Sequence, residues 1–322
     1  MSDLLARLGV EIPILQAGMG GGLSSHALAA AVSEAGGLGT IGILDPAGLR
    51  EELAAARRLT DKPLAVNVLV PFAGRGHWEA ASEADAVVTH WQARPRRRTP
   101  KVWIHTVGSA PEARAAADAG ADAVIAQGVE SGGHVRGAVP ALELLTRVRA
   151  AVPYDYPVLV AGGIAEAYDV RRALEDGAEA AIAGTRFLAS EESRAHPDYK
   201  RRLVDGTDTL LTELFGMGWP RAPHRVMPND ATRRWLKDDP RGPAALRAAH
   251  LVLAPAARLT PISVQLKLAQ RARAGPLDLG PAAPTDDLPA ATLETHPLYA
   301  GETVARIHDV RPASELVREL TP

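Results

Sequence analysis

The 322-residue chain has no cysteine, and that absence removes disulfides, thiolate nucleophiles, iron–sulfur clusters and cysteine-based zinc sites together. An excess of one charge is missing too. The 36 Lys and Arg against 38 Asp and Glu leave a net charge of -2, which gives a nucleic acid nothing to bind and points to a small ligand. No stretch approaches the roughly 18 apolar residues that span a bilayer, and the start, MSDLLARLGV, lacks a basic leader followed by an apolar run. The expectation is a cytoplasmic chain with no membrane attachment. Neither H-E-x-x-H nor an H-x-H at the end of the first strand occurs, so no metal is expected.

What is present is a chain of 46% hydrophobic residues, enough to fill one large α/β core. A cassette recurs in it: AAAVSEAGGLGTIG, AAADAGADAVIAQG and RRALEDGAEAAIAG. Each is an Ala-rich helix, a Gly stop and a short apolar run without polar alternation, as a parallel strand buried on both faces requires. Gly36, Gly120 and Gly177 take the left-handed position at the helix end. Extended along the chain, the template predicts eight strands near 14–17, 38–43, 64–69, 86–91, 102–107, 123–127, 158–161 and 180–183. Helices are predicted over 24–35, 46–58, 111–119, 140–151 and 166–176. Eight right-handed βαβ units close a ring, so the fold class is α/β, a (β/α)8 TIM-type barrel.

One crossover is irregular. QARPRRRTP, between Trp91 and Lys101, carries two prolines and predicts a loop or single turn with its arginine run solvated. After Thr185 the cassette stops. The expected organisation is a barrel over 1–185 plus about 300–322, and an appended mostly helical region over 186–299. In that region LTPISVQLKLAQRARAG is the clearest helix and 280–289 an exposed linker. A final helix over 312–320 completes the barrel.

Barrel chemistry sits at the C-terminal strand ends, and phosphates commonly bind after strands 7 and 8. Those loops read AGGI and AGTRF. Gly162, Gly163 and Gly184 admit backbone N–H groups to an anion, with Thr185 as a hydroxyl donor. One such loop is equally well a tight turn, whereas two neighbouring ones favour phosphate. Strand 6 ends in Gln127 and opens into GVESGGHVRG, where glycines 128, 132 and 133 forbid a helix and leave His134 as a general base or a donor to an anion. His90 and His105 also close strands, in VVTHW and VWIHTV. Each is either a pocket residue or a satisfied core histidine, depending on strand alternation. The first strand leads into QAGMGGGLSSH, whose glycines 20–22 permit close approach and whose Ser24 suits a helix N-cap. Asn67 interrupts the apolar AVNVLV; its amide needs partners from a cofactor or from a neighbouring loop.

Taken together, PILQAGMGGGLS, AVNV, ADAVIAQGVESGGHVRG, VLVAGGI and AIAGTRF run in order over about residues 11–190, with LYAGETVARIHDVRPASELV near the end. This set resembles the nitronate monooxygenase family, formerly the 2-nitropropane dioxygenases. The resemblance implies an FMN cofactor whose phosphate meets Gly162, Gly163, Gly184 and Thr185, with Ala183 beside them. It implies flavin contacts from Asn67, Gln127, Gly132 and Gly133, and the Ala17, Gly18 and Met19 backbone beside the ring. His134 is the implied catalytic histidine and His90 a second site position, with His105 a third candidate. The implied reaction is oxidation of an alkyl nitronate by O2 to a carbonyl compound and nitrite. The expected partners are a small substrate and O2, and a homodimer is compatible with the pattern.

Three features depart from the family. The connection from Asn67 to Gln127 is short, PRRRTP replaces a helix, and His105 stands where a smaller residue is common. The nearest alternative is a flavin-dependent enoyl-acyl-carrier-protein reductase using NAD(P)H, which typically has Glu in place of Gln127. Others are a flavin oxidase of secondary metabolism acting on a C–N or N–N bond, and a barrel that binds flavin without catalysis.

Overall fold

Each buried apolar run expected from the sequence is a strand. The computed structural model describes residues 3–93, 95–216, 219–260, 264, 279–280 and 282–322. In chain order the strands are β1 (Ile14–Gln16), β2 (Gly39–Ile41), β3 (Leu64–Leu69), β4 (Ala86–His90), β5 (Val102–Val107), β6 (Ala123–Gln127), β7 (Gly133–His134), β8 (Val158–Ala161), β9 (Ala181–Ala183), β10 (Leu210–Thr212) and β11 (His224–Val226). Strands β1 to β6 with β8 and β9 pair in parallel in the order β1-β9-β8-β6-β5-β4-β3-β2. A parallel bridge between Leu15 and Leu38 joins the two ends, so the sheet closes on itself as a TIM-type barrel.

The helices are α1 (Asp3–Leu8), α2 (His26–Glu34), α3 (Pro46–Arg57), α4 (Arg75–Ala81), α5 (Ala110–Asp118), α6 (Ala141–Arg149), α7 (Ala167–Glu175), α8 (Thr185–Leu188), α9 (Pro197–Val204), α10 (Asp230–Trp235), α11 (Ala244–Leu259) and α12 (Ala313–Leu320). No helix among the described residues is long and apolar enough to cross a membrane. The expected Gly stops do end α2, α5 and α7, with φ of 95° at Gly36, 84° at Gly120 and 93° at Gly177. Among the described residues no helix joins β4 to β5, in keeping with the prolines there. Arg96, Arg97 and Arg98 of that connection are exposed, and Arg97 also pairs with Asp122 at 3.0 Å.

Strand alternation divides the core in two. Small residues Ala65, Ala86, Ala123 and Ala180 face the barrel axis and pack with Leu4, Leu5 and Leu8 of α1, which thereby stops the N-terminal mouth. The opposite strand faces, among them Val107, Val124, Val158 and Ala183, pack against α2, α5, α6, α7 and α12. The terminal helix α12 packs against α2 and α7, burying Leu316, Val317 and Leu320.

The region after Thr185, expected to be mostly helical, also contains an antiparallel pair, β10 and β11, that adds β7 as its third strand. Strands of three residues leave no local periodicity to read, and their partner lies about ninety residues away in sequence. The expected linker is partly core: Ala283 and Thr285 are buried, and Thr285 bridges Ala195, while Asp286 and Asp287 are exposed. Its alanines cover the barrel mouth, which composition cannot reveal. Ser24 is not the helix cap; Ser25 holds that position. The helix expected over 259–275 lies, apart from residues 259, 260 and 264, outside the described residues.

The contact between α2 and β2 is the closest in the barrel wall, since a Cβ on Gly39 would stand 1.8 Å from the Ala29 carbonyl oxygen. Gly39→Ala is expected to lower the unfolding free energy by about 3 kcal/mol. Gly120→Ala, which meets nothing within 4 Å but keeps φ at 84°, should cost about 1 kcal/mol. Urea denaturation of both variants checks this, and equal losses would contradict the packing argument.

Candidate functional site

The C-terminal strand ends open into a cavity of about 850 Å³, and its floor is built first from β1. Gln16, 1% exposed, donates from Nε2 to the Ala17 carbonyl and, at 2.8 Å, to Ser24 Oγ, while its Oε1 accepts the Thr40 N–H at 3.0 Å. Ser24 Oγ accepts the Met19 N–H at 2.9 Å and donates to the Ala17 carbonyl at 3.1 Å. This is the work that displaces Ser24 from the helix cap. The turn at Ala17, Gly18 and Met19 is therefore fixed from behind. Asn67 reaches it from β3, donating from Nδ2 to the Gly18 carbonyl at 2.6 Å, and its buried Oδ1 has no partner. A Cβ on Gly18 would lie 2.6 Å from Asn67 Cβ, so only glycine fits there.

The loop after β6 forms the facing wall. Gln127 Nε2 donates to the His134 carbonyl at 3.0 Å and Oε1 accepts the Arg136 N–H at 2.8 Å. Its amide thus clamps the loop, and we assign it a positioning role beside its place in the cavity lining. Pairing of β7 with β11 sets His134 opposite His224 and Gly133 opposite Arg225. His134 Nε2 is buried without a partner, a state that costs about 1–3 kcal/mol until something fills it. Burial, reinforced by nearby His224 and His90, holds its pKa well below the ordinary histidine value.

The other histidines separate by strand parity. His90 lies on the inward face of β4 with Val88 and lines the cavity, and burial next to His105 lowers its pKa to about 3. His105 shares the outward face of β5 with Trp103, so it is not brought to the cavity. It is a satisfied core histidine: Trp103 Nε1 donates to Thr89 Oγ1 at 2.8 Å, Thr89 Oγ1 meets His105 Nδ1 at 2.7 Å, and His105 Nε2 meets the Gln92 carbonyl at 2.8 Å. Ala183 likewise points outward, into the layer between sheet and helices, while Ile182 faces the cavity.

At the opposite end, Gly162 and Gly163 have φ of 117° and 78°, a conformation that turns backbone N–H groups toward a shared concavity. Gly184 and Thr185 stand across from them in the lining. Thr185 Oγ1 accepts the Gly301 N–H at 2.8 Å, which leaves its own hydroxyl hydrogen to donate. Gly132 sits so close to the 300–301 segment that a Cβ would meet the Gly301 nitrogen at 2.6 Å. Glu130 folds beneath the loop, where its Oε1 accepts the Ala141 N–H at 2.8 Å.

Four aromatic residues that sequence reasoning did not single out form the roof, although Trp91 and Tyr299 stand within the segments VVTHW and LYAGETVARIHDVRPASELV. Trp219 stacks on His134 with centroids 4.3 Å apart and planes 27° apart. Phe72 meets Trp219 edge-on at 5.3 Å, and Trp91 does so at 5.1 Å. Tyr299 lies 5.8 Å from His134. Trp91 adopts φ 67°, a left-handed conformation that costs a bulky residue about 1–3 kcal/mol. The Arg136 guanidinium sits over its ring at 5.3 Å. Trp91 follows His90 at a strand end and was within reach of the sequence; Trp219 stands in a segment with no repeat or motif.

Comparison with known proteins bears on this site. The family model described as nitronate monooxygenase matches residues 2–95 and 94–322. A Mycobacterium tuberculosis (3aS,4S,5R,7aS)-5-hydroxy-7a-methyl-1-oxo-octahydro-1H-indene-4-carboxyl-CoA dehydrogenase is 34% identical over 70% of this chain, and the match spans 66% of that protein, just under two thirds. Among solved structures, FabK from Thermotoga maritima is 31% identical with a TM-score of 0.77, covering 99% of this chain and 94% of its own. A nitroalkane oxidase from Streptomyces ansochromogenes is 31% identical with a TM-score of 0.74, covering 99% and 96%. The chain belongs to the nitronate monooxygenase family.

Proposed function

We propose that this protein binds FMN in the barrel mouth and oxidises alkyl nitronates with O2 to carbonyl compounds and nitrite, with His134 as the acid–base and anion-contacting group. The balance is two nitronates and one O2 to two carbonyl compounds and two nitrite ions. The carrying observation is the unpartnered, buried Nε2 of His134 in the cavity lining, on a loop held at both ends of the Gln127 amide.

The residues suit a flavin. Asn67 Oδ1 is a buried acceptor without a donor, and the Gly18 turn is bare of side chain, as close approach of a flat ring system needs. Gly162, Gly163, Gly184 and Thr185 would hold the phosphate, and Gly132 and Gly133 would lie along the cofactor. When bound, the flavin supplies electron transfer from nitronate to oxygen. The protein's own part is to hold the substrate and manage one proton. A His134 kept neutral by burial accepts the α-proton of a neutral nitroalkane; once protonated, it donates to a nitro oxygen. His90, neutral as well, lines the same wall.

Flavin released from the purified protein by acid should migrate as FMN. Asn67→Leu should weaken FMN binding about tenfold, the scale of one lost hydrogen bond. Protein that stays colourless after incubation with FMN would end the flavin reading and favour a phosphosugar-binding barrel. His134→Ala should retain FMN but lower turnover about 100-fold or more, read as oxygen uptake; an unchanged rate removes His134 from the mechanism. Reduction of an enoyl thioester by NADH, with no nitronate turnover, would replace the proposal.

The working form of His134 as a base is the neutral one, which exists above its pKa. Because that pKa lies well below the ordinary value, kcat/KM for a nitroalkane should stay level as pH falls through about 6.5 and drop only below it. A pH profile with its acid limb at or above 6.5 would refute this assignment.

A further inference from the structure

The aromatic roof carries a statement about the substrate that the motifs do not. Trp219 is its centre, touching His134, Trp91 and Phe72 at 4.3, 5.1 and 5.3 Å between centroids. These rings come from four separate segments, and all line the cavity that contains the unpartnered His134 Nε2. A molecule that reaches that nitrogen must therefore lie against ring faces and edges. Trp91 is held there in a strained left-handed backbone, φ 67°, with the Arg136 guanidinium over its ring. Strain of this kind persists only where the surroundings enforce it, and the position it secures is in the cavity wall.

The charge pattern points the same way. Among the described lining residues there is no Lys or Arg, and Glu130 is the one charged side chain. Arg136, the nearest guanidinium to the roof, is paired with Glu112. A substrate with a second negative charge would meet no counter-charge in this lining and would keep its desolvation penalty.

We infer that the roof selects nitronates whose organic group is flat and uncharged, such as an aryl ring, and that Trp219, with Trp91 and Phe72, sets this preference. The inference rests on the nitronate reading above. Flat π-systems gain edge and face contacts with such rings that a short or charged aliphatic chain does not. Trp219 also stacks on His134, so it positions the histidine as well as the substrate.

The test uses the FMN-loaded enzyme and oxygen uptake with the nitronates of phenylnitromethane, nitroethane and 3-nitropropionate. The kcat/KM for the phenyl compound should exceed that for 3-nitropropionate nitronate at least tenfold. Trp219→Ala should reduce this ratio at least fivefold, Trp219→Phe should retain most of it, and Phe72→Ala, on a different segment, should move it in the same direction. Calorimetry supplies a readout without turnover: nitrobenzene, which has no α-hydrogen to lose, should bind at least tenfold more tightly than 3-nitropropionate. Preference for 3-nitropropionate, or a ratio unmoved by both alanine variants, overturns the inference and leaves nitronate oxidation standing. Failure to oxidise any of the three nitronates sinks the nitronate reading itself, and this inference with it.

Discussion

Two residues of antiparallel pairing, Gly133 and His134 against Arg225 and His224, hold the two halves of the site together. The His134 loop is too rich in glycine to order itself, so its shape must come from partners. Strand β11 supplies them: the Val135 N–H reaches the Pro223 carbonyl at 2.8 Å, and Arg225 Nη2 donates to the Val129 carbonyl at 2.8 Å. The same pairing delivers the roof, because Trp219 lies a few residues before β11. His224 braces the turn between them. Its Nε2 accepts the Phe215 N–H at 3.2 Å, and its Nδ1 faces the Ala222 carbonyl at 3.1 Å. That arrangement uses a neutral imidazole with the proton on Nδ1, consistent with a pKa lowered by burial to about 4.

Histidine charge around the cavity follows from this enclosure. His90, His134 and His224 each lose hydration, and each proton gained would also repel the neighbouring histidines. Solvent loss is the largest contribution at all three, so the cluster stays uncharged near neutral pH. Of these three, His134 is the one with a buried ring nitrogen lacking a partner; the Nε2 atoms of His77 and His250 share that feature but lie outside the cavity lining. His224 gives both nitrogens to backbone, and His105 gives one to Thr89 and one to the Gln92 carbonyl. Partner counting, taken with place in the cavity lining, separates His134 from His105 and His224 more sharply than acidity does.

How much of this was legible in the sequence depends on the range of the interactions involved. Strands β2, β6 and β9 were readable because each follows a helix and a left-handed glycine within about fifteen residues, with Gly36, Gly120 and Gly177 at the joints, and that template located the other apolar runs. The floor was partly readable, since Asn67 in an apolar strand announces a buried amide needing partners. His90 and His105 were both expected at strand ends, though His105 stands inside β5, and one residue of register decides which faces the cavity, a point the sequence left open. Trp219, β10 and β11 were not readable. Their positions depend on pairing with β7 across about ninety residues, and a three-residue strand carries no period.

This division of labour explains why motifs speak more clearly about the cofactor than about the substrate. The glycine-rich turns at Gly18, Gly132, Gly162 and Gly184 all belong to the barrel or its strand-end loops, where a Cβ or a longer side chain would close the space a cofactor needs. They persist as short contiguous signatures. The remaining cavity wall includes Phe72, Trp91, Trp219 and Leu253, single residues on unrelated segments, all of which stand outside those signatures. Substitution at such positions changes what can approach His134 without disturbing the barrel or the proposed flavin site. Proteins named for a coenzyme A thioester dehydrogenase and for a nitroalkane oxidase accordingly resemble this chain to nearly the same degree, at 34% and 31% identity. Overall similarity is dominated by the scaffold, whereas the proposed substrate preference rests on a few aromatic rings that contribute little to it.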